Sequence, residues 1–228
     1  MIWLDYAMLL IPGLAVTIWA QSRIVRALGE GSRVEAGSGL RGAEVARDLL
    51  IAGGVGDVSV EPAVGELANH YDARNRVLRL SPAVHDGRTL AAAAIAAHQA
   101  GHALQDAAGY PGRLVRNAVV PLAELGSQVV WMLMTAGLLL GMFRLVVLAI
   151  AGFSLLVALQ LLNVPVELDA SRRGRRLLIS TGLTSPDEEP TVARVLNASA
   201  WVHVAACLTG LPVLLYRLTR PRAGRLVP

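Results

Sequence analysis

Three features of this sequence predict a mainly α, membrane-embedded fold with a small polar region outside the bilayer. The apolar fraction is 54% and the mean hydropathy is +0.51, above the apolar usage of about 45–50% in ordinary soluble domains. Long apolar stretches run nearly free of charge, each near the length of about 20 residues that a spanning helix needs. Arginines gather at the ends of those stretches, as they do at membrane flanks. Aromatics make up only 4%, so the apolar content is mostly Ala, Leu, Val and Gly, residues suited to close helix packing.

The expected spans number about four. The first covers residues 1–21 and is broken only by Asp5. It lacks a positive leader and a small-residue cleavage site, so it reads as a retained anchor. Residues 118–163 form a hairpin, with Gly141-Met142-Phe143-Arg144 at its bend. The last span opens the 198–228 segment and is followed by a basic tail. Between them lie a polar region over residues 22–117 and a second polar segment over residues 164–197.

Orientation follows from basic residues near the span ends. Arg23, Arg26, Arg33, Arg113, Arg116, Arg172, Arg173, Arg175 and Arg176 fall on one side of a four-span arrangement. That side is expected to be cytoplasmic, in a multi-pass protein of the inner membrane. Arg217, Arg220, Arg222 and Arg225 follow the last span and oppose this assignment.

Net charge is +4 and the pI is near 10.0. No basic strip with interleaved aromatics accompanies that charge, so a nucleic-acid partner is not expected. The lone cysteine, Cys207, excludes an internal disulfide framework.

Within the polar region, Ser38 is placed to cap a helix beginning near Leu40, which Gly53 and Gly54 end. Asp57 to Glu61 and Arg76 to Leu80 each alternate polar and apolar residues, around the turn sequence Asp72-Ala73-Arg74-Asn75. A small antiparallel sheet is expected there. Alanine and leucine then dominate Thr89 to Gln105, predicting a strong helix over about residues 88–108.

His98 and His102 sit four apart on that helix, so both imidazoles face one way, one turn apart. Two such nitrogens can reach one Zn²⁺ at about 2.0–2.1 Å. The bland alternative is a chance pair of surface histidines; metal ligation is favoured because the two stand at this spacing in an otherwise alanine-lined helix. Asp106 cannot join both histidines on one ion, because it lies eight residues from His98, about 12 Å along the axis. In the HExxH pattern a glutamate follows the first histidine and acts as general base. Here that position is Gln99. Glutamine has the same shape and can hydrogen-bond water, but it cannot take a proton at neutral pH.

Several segments in order resemble the YugP-type family of membrane-bound neutral zinc metallopeptidases. They are Ser38-Gly39-Leu40 with Gly42 to Ala46, His70-Tyr71-Asp72 with Arg74-Asn75 and Leu78 to Ser81, Ala97 to Gln105, and Pro165 to Arg173. The resemblance covers nearly the whole chain. Gln99 for glutamate, Ala73 for proline and Arg41 for threonine depart from the family pattern.

The resemblance implies a zincin-like α+β region built around the 88–108 helix. It implies a Zn²⁺ cofactor and peptide-bond hydrolysis by water activated at the metal, on peptide or protein substrates beside a lipid bilayer. Relation to the wider glutamate-zincin group implies a third ligand on a later helix. Glu167 fits, with Asp169 as the rival ligand or as a partner that orients a histidine. His70 and Tyr71 are candidates for holding substrate or an oxyanion, or else form a structural turn.

With Gln99 at the base position, little hydrolysis is expected as the sequence stands. The near-isosteric exchange with its surroundings kept suits a deliberate inactivation. A natural pseudopeptidase, a metal-stabilised scaffold or peptide-binding adaptor, is the other reading.

Overall fold

The computed structural model describes residues 2–65 and 69–198. The order is α1 (Ile2–Ser32), α2 (Gly42–Ala52), β1 (Ser59–Pro62), β2 (His70–Asp72), β3 (Val77–Leu80), α3 (Pro82–His85), α4 (Leu90–Ala107), α5 (Pro111–Leu139) and α6 (Phe143–Ser180). Residues 189–198 are also helical. The chain divides into two compact units. Of the described residues, one holds 2–20 and 115–163, and the other holds 21–65, 69–114 and 164–198.

Of the four expected transmembrane helices, the three that fall among the described residues are not found. Among the described residues no helix is long and apolar enough to cross a membrane. The apolar stretches belong to longer helices that also carry charge: α1 runs on through Arg23, Arg26 and Glu30, and α5 includes Arg113, Arg116 and Glu124. The multi-pass arrangement and the cytoplasmic orientation rested on those spans and fall with them. The span expected after residue 198 lies outside the described residues.

In the first unit, α5 and α6 form a hairpin around Gly141, whose φ of 64° is the left-handed value that favours glycine. Gly152 leaves room for Val130, and Gly137 for Val146. Trp131, Leu139, Phe143 and Leu155 are exposed on this hairpin.

The second unit is built around α4. Thr89 caps it by accepting from the Ala92 N–H at 3.3 Å, and nearly all of its residues are buried. A helix covered on so many sides cannot be amphipathic, which is why alanine fills it. Leu49 and Leu50 of α2, Leu78 and Leu80 of β3, and Leu178 of α6 are fully buried in the same core.

Helix α2 begins later than the sequence suggests. Ser38 does not cap it; the Glu44 carboxylate instead accepts from the Arg41 N–H at 2.7 Å, within the helix's own first turn.

The sheet is mixed rather than antiparallel, in the order β1-β3-β2. The two stretches expected to pair antiparallel, β1 and β3, do not; β2 pairs antiparallel with β3 instead, and their turn is held by Asp72 accepting from the Arg74 and Asn75 N–H groups. The Asn75 side-chain amide, 2.8 Å from Asp72 Oδ2, and then these N–H groups hold the Asp72 carboxyl down at about 2. β1 pairs in parallel on the other side of β3, Ser59 opposite Val77 through Pro62 opposite Leu80. Burial decides the order. Val77, Leu78 and Leu80 are buried and suit a centre strand, whereas Pro62 lacks a ladder donor and belongs at an edge. Arg79 joins both edges, reaching Asp72 at 3.2 Å and Glu61 at 3.7 Å.

α4 and α6 touch backbone to backbone. A methyl added at Gly101 would overlap the carbonyl oxygen of Ala170, and one added at Gly174 would overlap that of Ala97. Two small residues one turn apart on each helix therefore interlock. Gly174→Val should cost about 1–3 kcal/mol, the range for overpacking a tight contact. Chemical denaturation measures this against Gly29→Ala, whose added methyl meets open space.

Candidate metal centre

The α4–α6 interlock sets His98 and His102 against Glu167. All three side chains are buried. The Glu167 Oε2 atom lies 3.0 Å from His98 Nε2 and 3.6 Å from His102 Nε2. One donor atom from each residue lies within 4.8 Å of the others. In a tetrahedral zinc site with bonds of about 2.1 Å, neighbouring donors stand about 3.4 Å apart. The observed separations bracket that value. The two rings meet edge to face, 4.7 Å between centroids.

The far side of each ring fixes which nitrogen faces the centre. Ser171 Oγ donates to the Leu196 carbonyl at 3.2 Å, which uses its only proton. It lies 3.0 Å from His98 Nδ1, so it accepts there and Nδ1 carries hydrogen. Gln105 Nε2 donates to the Val166 carbonyl at 2.7 Å and to Asp169 Oδ2 at 2.9 Å. Its oxygen, 3.0 Å from His102 Nδ1, is left to accept. Both imidazoles thus carry Nδ1–H, and both Nε2 atoms turn lone pairs inward. Hydrogen bonding on the remote nitrogen is the usual support of a ligating histidine.

Three inward-facing acceptors in a buried site repel one another unless a cation lies among them. A single shared proton bridges only two of the three atoms; a divalent ion meets all of them. Burial resists ionisation of Glu167, and with both Nε2 lone pairs turned inward the stabilising positive charge falls to a cation at the centre. The donor set therefore fits zinc. Two histidines and one carboxylate leave a fourth position open, as catalytic zinc sites do.

The other candidates are placed as follows. Gln99 is buried on α4 beside His98. The Asp169 carboxylate is turned to Gln105 and to Arg173 Nε, at 2.6 Å from the latter. Those two bonds, working against burial, lower its pKa. The Tyr71 hydroxyl donates to Asp106 Oδ2 at 3.1 Å. Burial and the nearby Asp106 charge push that phenol up to about 12. It is a neutral donor tying β2 to α4. His70 is exposed at the start of β2, opposite Arg79.

Gln105 and Ser171 were not singled out in the sequence. Ser171 lies 73 residues from His98, and Gln105 reaches Val166 and Asp169 across 61 and 64, although it stands only three from His102. The signal for Gln105 was its i+3 spacing from His102; for Ser171 it was only its presence within a segment of family resemblance.

The chain matches, over residues 6–221, the family described as "Putative neutral zinc metallopeptidase". It belongs to that family. It is also 40% identical over 210 residues to "Putative membrane protease YugP" of Bacillus subtilis (strain 168), spanning 92% of this chain and 93% of the relative. No solved structure matches.

For a neutral zinc metallopeptidase with this donor set, purified protein should hold one zinc per chain by elemental analysis. His98→Ala, His102→Ala and Glu167→Ala should each lose it, whereas Asp169→Ala should retain it with weaker affinity. Retention of normal zinc by Glu167→Ala would remove that residue from the ligand set.

Proposed function

We propose that this chain is a zinc endopeptidase scaffold acting at a membrane, with hydrolysis suppressed by Gln99. The supporting observation is the buried convergence of His98, His102 and Glu167, with both Nδ1 atoms engaged elsewhere. Zinc, when bound there, acts as a Lewis acid that polarises the scissile carbonyl and acidifies the attacking water.

The protein's own part is to orient and to move protons. The α4 position after His98 should take the water's proton and pass it to the leaving amine. Glutamine can hold the water through its amide but has no site that accepts a proton. A missing general base costs about 10²–10⁴-fold in rate. Gln99→Glu should therefore raise peptide hydrolysis by that factor in the zinc-loaded protein, measured with a mixed peptide library and mass spectrometry. A folded, zinc-loaded variant that cuts nothing more than the parent would overturn the peptidase reading.

Gln99 itself favours a second reading, a pseudopeptidase that binds peptides or partner proteins without cutting them. On that reading the parent captures peptides and Gln99→Glu releases no products.

Support for a place at a membrane comes from the printed name of the Bacillus subtilis relative and the exposed apolar side chains of the α5–α6 hairpin. The protein should sediment with phospholipid vesicles, and replacing Trp131, Leu139 and Phe143 with serine should reduce that fraction.

A further inference from the structure

We infer that Gln105 is a positioning residue, a polarity adaptor through which Asp169 holds His102 in its ligating tautomer. This rests on the metal-site reading above and adds to it the means by which one of the two rings is oriented.

Gln105 is fully buried on α4, one turn beyond His102. Its amide makes three bonds at once. The oxygen accepts from His102 Nδ1–H at 3.0 Å; the nitrogen donates to the Val166 carbonyl at 2.7 Å and to Asp169 Oδ2 at 2.9 Å. Asp169 in turn accepts from Arg173 Nε at 2.6 Å. Val166 and Asp169 flank Glu167 on α6. The amide therefore fixes the ring on one helix against the same turn that presents the carboxylate on the other.

The polarity of this chain has one consistent direction. His102 donates to the amide oxygen, and the amide nitrogen donates to two acceptors that carry no hydrogen. Only a side chain with an acceptor at one end and a two-hydrogen donor at the other satisfies all three partners. Glutamate has the same shape but faces a carboxylate and a carbonyl with a third acceptor. Leucine fills the space and serves neither neighbour.

His98 is supported differently, by the Ser171 hydroxyl and the Leu196 carbonyl, with no charged group in the chain. The two rings therefore have separate supports, and loss of the Gln105 bonds should act on His102 and the turn that carries Glu167, leaving the His98 support in place.

The experiment is zinc affinity by chelator competition, with folding followed by circular dichroism and the imidazole nitrogens by ¹⁵N NMR of the zinc-loaded protein. Outer hydrogen-bond partners of zinc ligands are worth about 10–100-fold in affinity. Gln105→Leu and Gln105→Glu should each weaken zinc by that factor. Adding Asp169→Asn to Gln105→Glu should recover part of that loss, because the new amide donates to the new carboxylate while the Val166 carbonyl still faces it unpaired. The same Asp169→Asn change should not rescue Gln105→Leu. The slowly exchanging His102 Nδ1 proton should be present in the parent and the rescued pair, and the His98 one in all five proteins.

Parent affinity in folded Gln105→Leu and Gln105→Glu would overturn the inference. So would a double variant no better than Gln105→Glu alone. If Gln105→Glu does not fold, the Gln105→Leu affinity and its His102 Nδ1 signal decide the matter. A parent that binds no zinc would instead defeat the metal-site reading, a separate outcome.

Discussion

The interlock of α4 with α6 governs the second unit. Ala97 and Gly101 on one helix meet Ala170 and Gly174 on the other so closely that no Cβ fits at either glycine. Such proximity lets side chains as short as histidine and glutamate converge on one point from separate helices. At the usual interaxial distance of about 8–10 Å, three donor atoms would have to reach across a layer of intervening side chains. The binding geometry is therefore set first by what is missing, the glycine side chains, and only then by the ligating groups.

Alanine content is part of the same arrangement. α4 is covered by α2, the sheet, α3 and α6, and a buried helix of this kind gains little from large side chains that would hold its neighbours apart. Its core contribution comes from close backbone approach, while the leucines of α2, β3 and α6 supply the bulk. The polar groups inside are tolerable because they are hydrogen-bonded in chains: Ser171 to Leu196 and His98, and Gln105 to Val166, Asp169 and His102. Two rigid supports meet one rigid crossing.

What could be read in the sequence was what depends on local spacing. The α4 helix and the shared face of His98 and His102 follow from alanine propensity and an interval of four. Strands β1 and β3 follow from alternation and the turn between β2 and β3 from Asp72-Ala73-Arg74-Asn75, but β2 itself is too short to show a pattern. Glu167 came only through family resemblance, because no spacing rule links it to residues more than 60 positions earlier. The parallel pairing of β1 was hidden because alternation marks a strand but not its partner; Pro62 was the one clue to its edge position. The expected spans fail because their apolar stretches are parts of longer helices, α1, α5 and α6, that extend well into charged sequence. Gln105 and Ser171 carry no chemistry of their own, and their use depends on what a second helix places opposite them.

The Ser171 support also ties His98 to a distant part of the chain. Its hydroxyl is anchored on the carbonyl of Leu196, in the helix over residues 189–198. A fusion, crosslink or binding partner that shifts this helix by an ångström would release the hydroxyl and let the imidazole rotate. His98 thereby has a mechanical link to the helix over residues 189–198, and a perturbation there would register at the candidate metal site without touching its three residues.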